Sequence, residues 1–257
     1  MTIPFEQSPL LVGVPGLRHG FFGRRGGHST GDYASLNTSE AMGDKPANVA
    51  ANRADILDAL ALPAATAAHL TQVHSSRVVT LTDPHQAASR PEADAIVTAL
   101  PNVVLGIQTA DCAPILLCDP QAAVIGAAHA GWKGAVTGVI GNVVEAMVRL
   151  GAQPSRIVAA IGPTISLQNY EVGPDFVDAL LKQHRDASNR VALPEGADRE
   201  HFDLPGFVFD QLIEAGVGKV NDLGRCTYGN PKHYFSHRRA THEQKPAGRQ
   251  IAMIGLA

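Results

Sequence analysis

VVLGIQTADCAPILLCDPQAAVIGAAHAGWKG, residues 103–134, contains three short apolar runs in close succession. The runs cover residues 103–108, 115–118 and 124–128. The pair Pro101-Asn102 marks a turn before the first run, and Asp119-Pro120 marks a turn before the third. Apolar runs of four to eight residues between turn signals are typical of buried strands. Because strand follows strand here without an intervening helix, we expect a mixed sheet and not a purely parallel one.

Outward from this block, strands and helices are interleaved. Further short β-rich runs predict strands at residues 73–81, 95–98, 156–161 and 249–256. Helical spacing of apolar side chains predicts helices at residues 46–61, 134–150, 174–184 and 205–215. A glycine-rich segment with two adjacent arginines, residues 20–36, predicts a loop. The fold class is therefore α/β of the mixed α+β kind.

The composition limits the class of protein. Of the 257 residues, 45% are hydrophobic and 18% are charged, and with no linker or repeat we expect a single catalytic domain over residues 1–257. The net charge of −3 argues against a nucleic-acid or membrane partner, because both require an excess of Lys and Arg. The sequence has no secretory leader and an odd number of cysteines, so we expect a cytoplasmic protein.

Three residues at predicted strand ends, His74, Cys112 and His129, carry side chains that suit Zn²⁺. Two imidazoles and one thiolate would leave a fourth coordination position open, as catalytic zinc sites do. Each residue also has an ordinary interpretation, because free cysteines are often buried and most histidines are hydrogen-bonded structural residues. The separations match no regular zinc motif, so spacing alone leaves both interpretations open.

Six ordered motifs extend this observation over the chain. They are Gln72-Val73-His74, Ala110-Asp111-Cys112-Ala113-Pro114, His129-Ala130-Gly131-Trp132-Lys133-Gly134, Ile161-Gly162-Pro163-Thr164-Ile165, Tyr170-Glu171-Val172-Gly173 and Phe235-Ser236-His237-Arg238-Arg239. Together they resemble the successive signatures of one family, described as polyphenol oxidase (laccase-like), purine nucleoside phosphorylase and peptidoglycan editing factor. The resemblance implies that His74, Cys112 and His129 bind zinc, with copper as an alternative. It also implies a multilayer sandwich with a mixed sheet, shared with cysteine-hydrolase-like toxin domains.

Two positions depart from the family pattern. Lys133 stands where arginine is more frequent, which keeps the positive charge but loses the bidentate geometry. Arg239 is followed by Ala240-Thr241-His242 where an acidic residue and glycine are expected, so the shape of this last loop is left open.

The resemblance implies phosphorolysis of adenosine, inosine or guanosine and methylthioadenosine, together with deamination of adenosine. Zinc suits deamination, because the metal can activate a water for attack on purine C6. Asp111, next to Cys112, and Asp94 are the candidate carboxylates for moving the protons. Both would also fit an ordinary capped turn.

Phosphorolysis requires a site for an anion. Arg24 and Gly27 could cradle phosphate with a guanidinium fork and main-chain N–H groups, and Lys133 and Arg238 add positive charge. The resemblance also covers Ser35-Leu36-Asn37, and it implies that Asn37 and Gln72 are further candidates for binding substrate or phosphate. The expected partners are therefore a nucleoside and phosphate, and the chain is expected to be a monomer or a weak homo-oligomer.

Three rival functions share these residues. A multicopper laccase needs many more histidine ligands than one cysteine and two histidines provide. A cysteine hydrolase that edits peptidoglycan precursors would use Cys112 as nucleophile and His129 as base. A metal-binding module without catalysis is the least favoured, because an open site beside cationic residues is more typical of an enzyme.

Overall fold

Two mixed β-sheets form the centre of the computed structural model, which describes residues 3–257. The strands are β1 (Phe5–Glu6), β2 (Leu17–Phe22), β3 (Thr66–His69), β4 (Val78–Leu81), β5 (Ala95–Thr98), β6 (Val103–Thr109), β7 (Ala113–Asp119), β8 (Val124–Ala130), β9 (Val158–Ile161), β10 (Val191–Ala192), β11 (His201–Phe202), β12 (Lys219–Asp222) and β13 (Gln250–Leu256). The helices are α1 (Pro9–Val12), α2 (Pro46–Ala59), α3 (Trp132–Val136), α4 (Val139–Arg149), α5 (Pro174–Gln183), α6 (Leu204–Glu214) and α7 (His237–Glu243).

Both large sheets contain parallel and antiparallel neighbours, as the sequence predicted. One sheet has the order β1-β2-β13-β6-β3, in which only β6 and β3 run parallel. The other has the order β12-β9-β7-β8-β5-β4, in which the two outer pairs run parallel. The register of β7 with β8 places Pro114 opposite His129, so Cys112 lies close to His129 at one end of this pair.

Successive side chains of the central strands point to opposite faces of each sheet, so neighbouring residues pack in different layers. Leu116 of β7 belongs to the apolar cluster between the two sheets, and its neighbour Leu117 belongs to the cluster that also contains α4 and α6. In β13, Ile254 belongs to the cluster between the sheets, whereas Met253 packs in a third cluster with Ile56 of α2. The order of layers is therefore helix, sheet, sheet and helices, a mixed α/β sandwich.

Several predicted boundaries need correction. The predicted helix 134–150 is two helices, because Gly138 between them has φ of 93°, a left-handed conformation that glycine adopts without strain. The predicted strand 73–81 begins only at Val78. The predicted loop 20–36 begins inside β2, where Gly20 lies so close to the Phe5 and Phe22 rings that a Cβ atom would not fit.

Two further expectations concern the class of protein. Within residues 3–257, every helix is too short or too polar to cross a membrane. The expected likeness to cysteine-hydrolase-like toxin domains stays a prediction.

The loop that follows the last motif, whose shape the sequence left open, is the helix α7, which Ser236 caps at its N-terminus.

Candidate metal centre

Two loops and one central strand bring His74, Cys112 and His129 together. His74 lies in the loop before β4, Cys112 in the turn between β6 and β7, and His129 in β8. One ligand atom from each residue lies within 4.8 Å of the others, and Cys112 Sγ is 3.8 Å from His74 Nε2. His74 is exposed, Cys112 is half-buried and His129 is buried, so the cluster is open on the His74 side.

Asp94 fixes the orientation of His129. Its Oδ1 atom lies 2.8 Å from His129 Nδ1, which leaves Nε2 of this ring for a metal. The same carboxylate accepts hydrogen bonds from the main-chain N–H groups of His74 and Ser75, at 2.9 and 2.6 Å. A histidine that binds a metal with one nitrogen and a carboxylate with the other is a recurrent arrangement in zinc sites. Asp94 is completely buried and is bonded to His129, and its predicted role in proton transfer stays a prediction.

The protonation states of the cluster depend on one another. Burial opposes ionisation of the Cys112 thiol, but His129 and His74 beside it lower its pKa to about 6. Burial also disfavours a charged His129, but the Cys112 sulfur and the Asp94 carboxylate raise the pKa of His129 to about 9. Although burial raises the pKa of Asp94, its hydrogen bonds to His129 and Ser75 lower that pKa to about 2. The thiolate form that binds metals is therefore favoured near neutral pH.

The main chain around the cluster is held in an unusual conformation. His74 has φ of 58° and Asp111 has φ of 87°, both in the left-handed region that costs a residue with a Cβ atom about 1 kcal/mol or more. Gly131 is required for a different reason, because a Cβ atom there would lie 2.8 Å from His74 Cδ2 and 3.0 Å from Cys112 Sγ. The fold therefore keeps space free between these two side chains.

The donor set fits a tetrahedral ion such as Zn²⁺. Ligand atoms around tetrahedral zinc lie about 3.3–3.6 Å apart, given zinc–ligand distances of about 2.0–2.3 Å. The separations here, 3.8 Å for Cys112 and His74 and at most 4.8 Å for the set, require only a small contraction. Within residues 3–257 this is the only such group of His, Cys, Asp and Glu side chains. A cluster of several coppers would need more histidines than this group supplies.

Two cavities meet at the cluster. The first has a volume of about 390 Å³, and the second has a volume of about 450 Å³. The residues that line both are His74, Ala110, Cys112 and His237. A ligand that bridges the two cavities would therefore pass directly over the candidate metal ligands.

The first cavity is mainly aromatic and apolar. Trp132 and Tyr170 line it, and the Trp132 ring packs edge-on against Phe176, with 5.0 Å between the ring centroids. The guanidinium of Arg238 lies 5.4 Å from the Tyr170 ring and donates a hydrogen bond to the Glu171 carbonyl. This combination of ring faces and a few polar groups suits a flat heteroaromatic ligand.

Asp111 organises one wall of this cavity. Its carboxylate accepts hydrogen bonds from the Thr227 and Ser236 hydroxyls, at 2.6 and 3.0 Å, and from the Arg238 main-chain N–H at 2.7 Å. With three donors on the carboxylate, Asp111 positions the segment that carries His237 and Arg238. The predicted role of Asp111 in proton transfer stays a prediction.

Lys133 and Gln72 lie next to the cluster but in different surroundings. Lys133 lines the first cavity, with its Nζ atom 5.6 Å from the Trp132 ring. Gln72 lines the second cavity, and its amide pairs with the main chain of Gln108 through hydrogen bonds of 2.7 and 2.9 Å. Gln72 therefore shapes the cavity wall, because both polar atoms of its amide are already paired.

The structure does not bring Arg24, Gly27 and Asn37 to either cavity at the cluster. Arg24 donates hydrogen bonds to the main-chain carbonyls of Ala34, Asp32 and Pro231. The Gly27 N–H donates to Ser35 Oγ, and the Asn37 side chain is buried and bonded to Ser39, Asp44 and Arg249. Each of these groups therefore has hydrogen-bond partners within the fold, and Arg24 also lines a separate cavity of about 180 Å³. The predicted phosphate-binding role of these residues stays a prediction.

Among the cavity residues that were not predicted as site residues are Tyr170 and His237 in the first cavity and Arg90 and Arg249 in the second, which His237 also lines. Tyr170 and His237 lie in two of the six motifs, which could have indicated them, and Arg249 is the first residue of the predicted strand 249–256. No motif in the sequence around Arg90 indicates a functional residue, because only the tertiary fold brings Arg90 to the site.

The fold and the cluster together define a four-layered α/β protein with a candidate metal centre where two cavities meet. The chain belongs to the family described as multi-copper polyphenol oxidoreductase laccase, whose sequence model matches residues 18–257. A Deinococcus radiodurans protein named purine nucleoside phosphorylase is 44% identical, over 99% of this chain and 93% of its own length. A Mycobacterium tuberculosis protein of the same name is 37% identical, over 91% of this chain and 89% of its own length.

Solved structures have the same architecture. A Neisseria meningitidis protein superposes with a TM-score of 0.86 at 32% identity, covering 100% of this chain and 99% of its own. YlmD from Geobacillus stearothermophilus superposes with a TM-score of 0.84 at 31% identity, covering 99% of both chains. The mixed α/β sandwich is therefore the fold of this family.

Proposed function

We propose that the protein is a metal-dependent purine nucleoside phosphorylase that acts on adenosine, inosine or guanosine and methylthioadenosine. The observation that carries this proposal is the position of the His74, Cys112 and His129 cluster between an aromatic cavity and a cavity lined by Arg90 and Arg249. Relatives named purine nucleoside phosphorylase, at 37–44% identity over most of the chain, support it.

The aromatic cavity is assigned to the purine. Trp132 and Tyr170 offer ring faces for stacking, and Arg238 adds a donor fork at the edge of the same space. His237 lies where the two cavities join, which is the expected position of the ribose. The nucleoside would then lie with its glycosidic bond beside the cluster.

In phosphorolysis a phosphate oxygen forms a bond to ribose C1′ while the bond from C1′ to purine N9 breaks. The purine leaves with the electron pair of that bond and takes up one proton, and the products are the free base and ribose 1-phosphate. His237, at the junction of the cavities, is the side chain we assign to the proton that the base takes up. Tyr170 and Trp132 exclude water from the base and hold its orientation.

His74, Cys112 and His129 would hold Zn²⁺, with copper as the alternative ion. Zinc would supply a Lewis acid next to the reacting sugar and phosphate. The chain's own contribution is to keep His129 oriented through Asp94 and to keep Cys112 in its thiolate form.

Adenosine deamination is a second candidate function, because a three-ligand metal site leaves a coordination position that faces the cavities. Asp111 is the carboxylate of the first cavity and would have to move the protons. The three hydrogen bonds that Asp111 accepts count against this role, so deamination ranks below phosphorolysis.

A cysteine hydrolase is the remaining alternative. The lowered pKa of Cys112 and its position beside two imidazoles favour a nucleophilic thiolate in metal-free protein. The same features are those of a metal ligand, so mutation of Cys112 does not separate the two functions.

The proposal is tested by incubating zinc-loaded protein with inosine or adenosine, with and without phosphate, and measuring free base, ribose 1-phosphate and inosine. We expect base and ribose 1-phosphate only when phosphate is present, and none from a folded His129→Ala variant. Base release that is independent of phosphate, or no base release at all, would contradict phosphorolysis. Conversion of adenosine to inosine without phosphate would identify the deaminase.

A further inference from the structure

We infer that the second cavity is the binding site for the phosphate co-substrate, with Arg249 as its principal ligand and Arg90 at its rim. This inference rests on the proposed function and assigns the anion site that phosphorolysis requires. It differs from the expected site at Arg24 and Gly27, which lie outside both cavities at the cluster and donate hydrogen bonds to other parts of the protein.

Arg249 is half-buried and lines the second cavity together with all three residues of the cluster. One guanidinium nitrogen donates hydrogen bonds to the carbonyls of Ala247 and Gly248, at 2.9 and 3.0 Å, which fixes the position of the head group. Within residues 3–257, Arg249 forms no salt bridge, and its remaining N–H groups have no hydrogen-bond acceptor. A fixed guanidinium with free donors is suited to bidentate contact with a phosphate.

Arg90 adds a second positive charge at the mouth of the cavity. Its backbone is left-handed, with φ of 46°, and its side chain is exposed. In the described part of the chain Arg90 also forms no salt bridge, whereas the carboxylate that lines this cavity, Glu40, is paired with Arg53 at 2.8 Å. Arg249 and Arg90 therefore make the cavity positive, with part of the charge of Arg249 offset by Cys112 and Asp111 near it.

The placement also suits the reaction. Displacement at ribose C1′ is favoured when the nucleophile approaches the face opposite the leaving group. The base occupies the first cavity in the proposed function, and the second cavity lies across the cluster, with His74, Ala110, Cys112 and His237 shared between them. Phosphate held by Arg249 would therefore approach the sugar from the side away from the purine.

Calorimetric titration of zinc-loaded protein with inorganic phosphate tests the inference, together with the KM for phosphate and for inosine. We expect Arg249→Gln to raise the Kd and KM for phosphate about tenfold or more, and to change the KM for inosine less than about twofold. Arg90→Gln should raise the phosphate Kd about threefold, an effect that high salt reduces because Arg90 is exposed. Arg149→Gln, an exposed arginine at the end of α4, is the matched control and should change neither constant.

Because Arg249 also contacts its own loop, Arg249→Lys is measured beside Arg249→Gln, and the melting temperature of each variant is recorded. Lysine keeps the charge and loses the fork, so an intermediate phosphate Kd is expected. Unchanged phosphate binding in both folded variants, or in Arg90→Gln, would overturn the inference, as would wild-type protein that binds no phosphate.

The phosphate group of a nucleotide has the same chemistry as free phosphate. A parallel titration with adenosine monophosphate therefore tests which of the two ligands the site binds. Binding of the nucleotide without binding of free phosphate would overturn the co-substrate assignment. If phosphate binding depends on Arg249 but no base is released, the phosphate site is supported and the proposed function is contradicted. If phosphorolysis occurs with a phosphate KM that Arg249 does not affect, the function stands and this inference fails.

Discussion

The loop around Arg24 and the cavity beside Arg249 both concentrate positive charge, but their guanidinium groups have different partners. Arg24 binds three main-chain carbonyls and so ties its loop to residues 231 and 32–34. Arg249 binds only the carbonyls of its own turn and turns the rest of its head group toward a cavity. Arg24 uses three N–H donors to join separate segments, whereas Arg249 uses two within its own turn and lies beside the metal cluster, where its remaining donors are available to a ligand.

The largest effect of a substitution is expected at the cluster itself. Cys112→Ala removes a ligand, so we expect zinc affinity and base release to fall more than about 100-fold while the fold is retained. Cys118→Ala is the matched control, because Cys118 lies in the core with its thiol pKa raised to about 12 by burial and by Asp119. Elemental analysis and activity assays on both variants measure the difference. Undiminished zinc in Cys112→Ala would contradict the metal assignment.

A smaller effect is expected at Asp94. Asp94→Asn keeps the shape of the side chain but removes the charge that orients His129, so zinc affinity should fall about 10- to 100-fold. Competition with a chelator of known affinity measures this loss. Zinc binding equal to that of the wild type would show that the hydrogen bond to His129 does not support the site.

Two histidines outside the cluster, the buried His19 and the half-buried His69, predict a dependence of stability on pH. Burial lowers the pKa of His19 and of His69 to about 4, and the charges of Arg53 and Arg90 add to the effect at His69. Between pH 6.5 and pH 4 the unfolded chain binds protons at these positions and the folded chain does not, so the free energy of unfolding falls as the pH falls. The loss approaches about 3 kcal/mol per histidine at pH 4.

Urea denaturation at several pH values between 4 and 7 measures this slope. His69→Gln, which removes one of the titrating groups, should make the slope shallower. An identical slope in the variant would show that His69 is not held neutral in the folded protein.

The smallest expected effect is that of Arg24→Ala, which distinguishes the Arg24 loop from the Arg249 cavity. Arg24→Ala should lower the free energy of unfolding by about 1–2 kcal/mol, because three main-chain carbonyls lose a donor, and should leave the phosphate Kd unchanged. Arg25→Ala, at the neighbouring exposed position, should change neither quantity. Thermal denaturation and phosphate titration are the measurements. A raised phosphate Kd in Arg24→Ala alone would return the anion site to this loop.

The central strands were predictable because each has an uninterrupted apolar run between turns. The strands β6, β7 and β8 lie where residues 103–128 predicted them, with ends that extend by one or two residues. The strand β2 was not predictable, because His19 and Gly20 interrupt its apolar pattern and are buried only through contact with neighbouring strands. The break between α3 and α4 depends on one backbone angle at Gly138, which spacing does not reveal.

For the site, residue chemistry was more informative than charge. His74, Cys112 and His129 were predicted from ligand type and motif, and the fold brings them together. The function of Asp94 depends on a hydrogen bond across 35 positions, and the availability of Arg249 depends on which acceptors surround it. Neither can be read from local sequence.

The most direct test of the account is to assay phosphate-dependent base release before and after metal removal. We predict that a chelator abolishes release of base from inosine and that added zinc restores it. Iodoacetamide should prevent this restoration when it alkylates the metal-free Cys112 thiolate before zinc is added. Full activity in protein verified to be free of metal, lost when Cys112 is alkylated, would contradict metal-dependent phosphorolysis and identify Cys112 as the nucleophile.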